Sequence, residues 1–86
     1  MELKYSERFR QAILVLTVEE RTQVREALKL FLFNPRHPSL QLRKLGGHRG
    51  LWYMRASQDL RITIQKDKNI WTLRVVGHHD EALKKP

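Results

Sequence analysis

Three groups of side chains in this chain are suited to chemistry. Arg61 sits inside an apolar run, Asp59-Leu60-Arg61-Ile62-Thr63-Ile64; His78 and His79 close another, Val75-Val76-Gly77-His78-His79-Asp80; and Arg43-Lys44 precede Leu45-Gly46-Gly47. A guanidinium pairs bidentately with phosphate. An imidazole, with an ordinary pKa of about 6.5, donates or accepts a proton near neutrality. RNA cleavage through the 2′-hydroxyl requires a proton acceptor, positive charge at the phosphate, and a proton donor for the leaving oxygen. Arg61 suits the charge, His78 or His79 the proton transfer, and Lys44 or Arg43 the remaining role. Adjacent histidines diverge on an extended backbone, so only one of the two faces any shared cleft.

These groups must be positioned by two kinds of element. In the first third of the chain the apolar residues recur at helical spacing. Ser6 caps a helix over 7–15 with Phe9, Ala12, Ile13 and Leu16 on one stripe. Thr17 and Glu20 form a capping box for a second helix bearing Val24, Ala27, Leu28, Phe31 and Leu32, and Asn34-Pro35 ends it. Beyond Pro35-Arg36-His37-Pro38 the period changes to two. Strands are expected over 40–45, 51–57, 60–66 and 70–76, with a Gly46-Gly47 turn and a hairpin loop at Asp67-Lys68-Asn69. Residues 1–5 are no better than an edge strand, and Asp80 to Lys85 predict a last helical turn. The fold class is α+β: a helical hairpin packed on a mainly antiparallel sheet of about four strands, one domain spanning 1–86.

Alternation sorts the strands into two faces. Trp52, Met54, Ala56, Leu60, Ile62, Ile64, Trp71, Leu73 and Val75 form the side expected to meet the helices. Tyr53, Arg55, Arg61 and Arg74 form an open face. With Arg43 and Arg49 they are candidate RNA-binding residues, since an aromatic ring stacks on unpaired bases and guanidinium groups hold phosphates.

Composition narrows the partner class. The first 33 residues carry six Lys or Arg against five Asp or Glu, while residues 34–86 carry eleven against four. Most of the net charge of +8 therefore lies on the β-rich part, which predicts a polyanionic partner, nucleic acid first. No apolar run of about 18 residues exists, so no membrane partner is expected. Met1-Glu2-Leu3-Lys4-Tyr5 lacks the apolar core of a secretion signal. The absence of cysteine fits a reducing, cytoplasmic setting. The four histidines lack helical metal-pair spacing and have no thiolate to assist them, so no metal or other cofactor is expected.

The order and spacing of several short motifs carry a resemblance over nearly the whole chain. Pro38-Ser39-Leu40 is followed by Leu42-Arg43-Lys44-Leu45, then Gly50-Leu51-Trp52-Tyr53-Met54-Arg55 and Asp59-Leu60-Arg61-Ile62-Thr63-Ile64. Val76-Gly77-His78-His79-Asp80-Glu81 closes the series. This series resembles the RelE/ParE superfamily of toxins from bacterial and archaeal toxin–antitoxin modules. The resemblance implies a small antitoxin as partner, and operator DNA contacted only through the toxin–antitoxin complex. An antitoxin segment that neutralises so basic a protein is expected to be acidic and to fold on docking.

The RelE-like branch cuts mRNA in the ribosome, without metal, and inhibits translation. The ParE-like branch inhibits DNA gyrase and has no hydrolytic chemistry. The resemblance places Arg61 where nuclease members stabilise charge at the scissile phosphate, and Arg43-Lys44 where they hold the backbone or assist proton transfer. His78 and His79 fall where some members carry a catalytic histidine or tyrosine. The chain departs from the pattern by having no tyrosine after Gly77. The first expectation is a ribosome-dependent endoribonuclease. A gyrase inhibitor is the alternative, and a relative that binds only its antitoxin is the third.

Overall fold

Two side-chain caps set the helical hairpin. In the computed structural model, which describes residues 1–86, the Ser6 hydroxyl accepts from the Phe9 N–H at 3.0 Å and starts α1 (Glu7–Leu14). Thr17 and Glu20 form a complete capping box that starts α2 (Val18–Phe33). Arg21 of α2 reaches back to donate to the Ile13 and Leu14 carbonyls. These are end carbonyls of α1 that have no partner within the helix, so one guanidinium both caps α1 and fixes the hairpin angle.

Past Asn34-Pro35, His37 Nδ1 accepts from the Ser39 N–H and caps a short 3₁₀ turn, Pro38–Leu40. Gln41 then adopts a left-handed conformation, φ 48°. Together these shorten the strand expected over 40–45 to β2 (Arg43–Lys44). The remaining strands are β3 (Leu51–Arg55), β4 (Leu60–Asp67) and β5 (Ile70–His78), followed by α3 (His79–Lys84).

The first residues form β1 (Glu2–Tyr5), which brings the sheet to five strands in the order β1-β5-β4-β3-β2. All neighbours are antiparallel except β1 and β5, which run parallel. Leu3 of β1 lies opposite Trp71 and packs on the core. That core joins Phe9, Val24, Ala27 and Phe31 from the helices to Met54, Leu60, Ile62, Ile64, Trp71, Leu73 and Val76 from the sheet. Each such large apolar side chain contributes about 1.5–3 kcal/mol on burial. Phe31 meets Trp71 edge-on, with ring centroids 5.2 Å apart.

One irregularity changes which residues face the helices. The β4–β5 register slips between Thr63 and Ile64, so Ile64 faces Leu73 while Thr63 faces Val75. This extra residue reverses the alternation in the second half of β5. Val76 becomes the buried residue where simple alternation predicts Val75. The same shift aligns Arg61 with Gly77 and Leu60 with His78.

Thr17→Ala removes an N-cap and is expected to lower unfolding free energy by about 1 kcal/mol, against about 3–5 kcal/mol for Phe31→Ala in the core. Urea unfolding followed by circular dichroism measures both. A Thr17→Ala loss as large as that of Phe31→Ala would refute the local role given to the cap.

Candidate functional site

A turn at the end of the sheet, bordering Glu20, Gln23 and Glu26 of α2, anchors the arginines of the face turned away from the helices. Between β3 and β4 the chain turns through Ser57-Gln58-Asp59 and re-enters the sheet at Leu60. Arg55 and Arg61 are direct cross-strand partners on either side of it. Arg61 Nη1 donates to the Ser57, Gln58 and Leu60 carbonyls at 2.9, 3.1 and 3.0 Å. Arg55 Nε donates to the Ser57 carbonyl at 3.3 Å. The Asp59 carbonyl accepts from the His79 N–H at 2.9 Å. One turn therefore fixes two guanidinium groups and the first residue of α3 through its own backbone oxygens.

The slipped register decides where the two histidines go. Residues directly opposite on neighbouring strands share a face. His78 is opposite Leu60, a core residue, so it lies on the helix face. There its Nε2 is 3.4 Å from Glu20 Oε2. Gly77 is opposite Arg61, and a Cβ on Gly77 would meet Ala82 Cβ at 4.0 Å. Helix α3 thus packs on the Arg61 face, and His79 opens that helix. His79 is exposed, with Nδ1 3.2 Å from Asp80 Oδ1.

The other candidates divide in the same way. Arg43 is opposite Tyr53, which is opposite Thr63, so Arg43 and Tyr53 lie on the Arg61 face. Arg49 is exposed in the glycine loop and borders a groove with Gln65 and Thr72. Arg74 is on this side too, but it is occupied: Nε donates to the Pro86 carbonyl at 3.0 Å and Nη1 to Gln65 Oε1 at 3.0 Å. Lys44, opposite Trp52, lies on the helix face with its ammonium 5.5 Å from the indole centroid. The register places Arg43, Tyr53, Arg55 and Arg61 on one face with Arg49 at its margin, sets His79 at the start of α3 where its ring borders Asp80, Leu83 and Lys84, and places Lys44 and His78 on the opposite face.

The face expected to be open is also partly covered. The Thr63 hydroxyl, fully buried, donates to the Pro86 carbonyl at 3.2 Å. The segment through Pro86 therefore closes the sheet over β4 and β5. The Ser57–Leu60 carbonyls, which hold Arg55, Arg61 and His79, were not predicted because backbone acceptors leave no mark in residue type.

Carboxylates border this face, Asp80 beside His79 and Glu26 in a groove with Arg55, but none of them pairs with an arginine. The ion pairs of the chain are Glu26–Lys29, Glu20–His78 and Asp80–His79, so a carboxylate neutralises none of its arginines. Arg55 and Arg61, adjacent and half-buried, hold like charges together without a counter-ion. Such a pair favours an anion with several acceptor oxygens, as phosphate has. No group of three or more His, Asp or Glu side chains converges to hold a metal ion.

Glu20 is the carboxylate that departs from ordinary behaviour. The Thr17 N–H that it accepts holds its pKa below 4.5, with the Thr17 hydroxyl and His78 acting in the same direction against some desolvation. A lowered folded-state pKa stabilises the fold above the ordinary value, and that stabilisation is lost as pH falls through the folded-state value.

No protein-family model and no curated protein sequence matches the chain. Its fold does match solved structures. Superposition on the RelB–RelE antitoxin–toxin complex from Methanococcus jannaschii covers 96% of this chain and 99% of that one, with TM-score 0.77 and 14% identity. For YafQ from E. coli strain BL21(DE3) the coverage is 93% and 94%, the TM-score 0.74 and the identity 13%. For the YoeB dimer from Staphylococcus aureus it is 92% and 97%, with TM-score 0.72 and 15% identity. At these identities the likeness is one of fold, and it agrees with the α+β architecture expected from the sequence.

Glu20→Gln retains a capping-box side chain and removes the charge. The stability difference between wild type and this variant is expected to be full at pH 6–7 and to shrink as pH falls below 4.5. Urea midpoints measured across pH 3–7 test this; a difference independent of pH would show that the charge contributes nothing.

Proposed function

We propose that this chain is the toxin of a type II toxin–antitoxin module, and that it cleaves mRNA on the ribosome. One observation carries this reading: the Ser57–Leu60 turn gathers Arg55, Arg61 and His79 on a face where no arginine is neutralised. The shared fold of toxins such as RelE, YafQ and YoeB supports it.

The chemistry is displacement at phosphorus. The 2′-oxygen of a ribose forms a bond to the adjacent phosphorus as the bond to the next nucleotide's 5′-oxygen breaks. The products are a 2′,3′-cyclic phosphate and a free 5′-hydroxyl. The proton leaves the 2′-hydroxyl, and a proton reaches the departing 5′-oxygen. His79, exposed at the start of α3 and tied to the same turn through its backbone N–H, moves one of these protons. Arg61 and Arg55 stabilise the negative charge that builds on the phosphoryl oxygens, and their backbone anchors hold them in place beforehand. Tyr53 offers a ring for an unpaired base, while Arg43 and Arg49 hold flanking phosphates. His78 and Lys44, on the other face, do not touch the reacting phosphate. The protein partner is an antitoxin whose acidic segment docks on the basic surface as a whole, so that no single arginine decides its binding, and operator DNA is reached only through that complex.

Arg61→Ala and His79→Gln are each expected to lower cleavage of ribosome-bound message by about a hundredfold or more while still binding antitoxin; His78→Gln stays within a few-fold of wild type. Primer extension on message recovered from a cell-free translation reaction reads these rates. Full activity in Arg61→Ala, or loss in His78→Gln but not His79→Gln, refutes the assignment. Induced expression in a bacterial host tests the reading as a whole. Methionine incorporation should collapse before thymidine incorporation. The reverse order with intact message would identify gyrase as the target, and growth with neither label affected would mean an inert relative or a target missing from that host.

A further inference from the structure

A second cationic site lies on the helix face, at the glycine-loop end of the sheet. Lys44 and Lys66 each sit directly across a strand from a tryptophan, Trp52 and Trp71 respectively. Their ammonium groups stand 5.5 and 5.2 Å from the two indole centroids. The indoles themselves meet edge-on at 5.7 Å. Neither lysine has a carboxylate partner, and both are exposed.

The floor beside them is glycine-rich. A groove on this side is lined by Lys44, the Gly46–Gly47 turn, His48, Gly50 and Lys66. A Cβ at Gly46 or Gly47 would meet nothing within 4 Å, so the backbone there is open to a ligand's approach. Gly50 is held close by the Lys66 backbone: its carbonyl accepts from the Lys66 N–H at 2.9 Å, and a Cβ would stand 3.3 Å from the Lys66 carbonyl. Gly50 and Lys66 also border the groove on the far side, together with Arg49, Gln65, Asp67 and Thr72. The two grooves therefore join around the end of the sheet. Asp67 is the one carboxylate in this path, against Lys44, Arg49 and Lys66.

We infer that Lys44 and Lys66 form a second phosphate-binding site, which takes the backbone of an RNA chain continuing past the Arg55–Arg61 site and around the sheet end. This rests on the nucleic-acid reading above and extends it to a face to which that reading gives no role. The competing account is that both lysines only shield tryptophan edges from water with their alkyl stems. The two accounts differ in what a long ligand feels and a short one does not.

The test is equilibrium binding of a 20-nucleotide and a 3-nucleotide single-stranded RNA to wild type and to Lys44→Ala/Lys66→Ala, from 50 to 200 mM salt. Each single-strand phosphate contact adds about 0.7 to the slope of log affinity against log salt. The double variant is therefore expected to lose about 1.4 from the slope for the 20-mer and at least about tenfold in affinity at 50 mM salt. Its binding of the 3-mer stays as in wild type. Wild-type binding of the 20-mer by the variant, with a change only in melting temperature, overturns the second site and leaves the Arg61 reading standing. Failure of wild type to bind the 20-mer at 50 mM salt overturns the second site, while the Arg61 reading is judged separately by cleavage of ribosome-bound message. Equal loss on both RNAs refutes a separate site and makes the lysines part of the first.

Discussion

Much of the molecule depends on one extra residue in β5. Without the register slip between Thr63 and Ile64, strict alternation would turn Val75 toward the helices and Val76 away from them. The slip sends Val76 into the core and places Gly77 opposite Arg61, where the absence of a side chain lets Ala82 approach. Helix α3 can then lie on the arginine face, and the two histidines part to opposite sides of the sheet. At the slip itself, Arg74 turns to the Pro86 carbonyl and to Gln65, and Ser6 Oγ donates to the Arg74 carbonyl at 2.9 Å. A bulge of this kind re-aims side chains next to a site, and here it also ties down both ends of the described chain.

Local features were legible because local physics fixes them. Ser6, the Thr17–Glu20 box and Asn34-Pro35 mark the helices by capping chemistry and by the conformational limits of proline. Period-two runs mark β3, β4 and most of β5. Arg61 stands out because a charge between Leu60 and Ile62 is tolerable only on an outward face. What escaped was non-local or conformational. The parallel pairing of β1 with β5 leaves no trace in Glu2-Leu3-Lys4-Tyr5. The left-handed Gln41 that shortens β2 is not a residue type expected there. The bulge was hidden because Val75 and Val76 are both apolar, so either register buries a valine. That ambiguity is also why the sequence left His78 and His79 as equals.

The arginine face illustrates how a basic cluster stays ordered without counter-ions. Arg55 and Arg61 would repel one another if free to move in water. Instead the carbonyls of the Ser57–Leu60 turn hold one edge of each guanidinium. A dipolar anchor costs no charge: carbonyl oxygens orient the cation but do not cancel it, so its attraction for an incoming anion is retained. A carboxylate in the same place would have fixed the side chains equally well and removed their use.

The parallel pairing of the first strand with the fifth has a consequence in time. Glu2 to Tyr5 pair with Ile70 to Leu73, the two strands separated by most of the chain. At about 5–20 residues per second of synthesis, β1 waits several seconds or more for its partner to exist. Arg61 is made before Gly77, His79 and the residues of α3 that complete its surroundings, so the basic face becomes whole only after α3 has been made. A growing copy therefore carries Arg61 for a time without the surroundings that complete its surface, and the order of assembly delays whatever that surface does until β5 and α3 have been made.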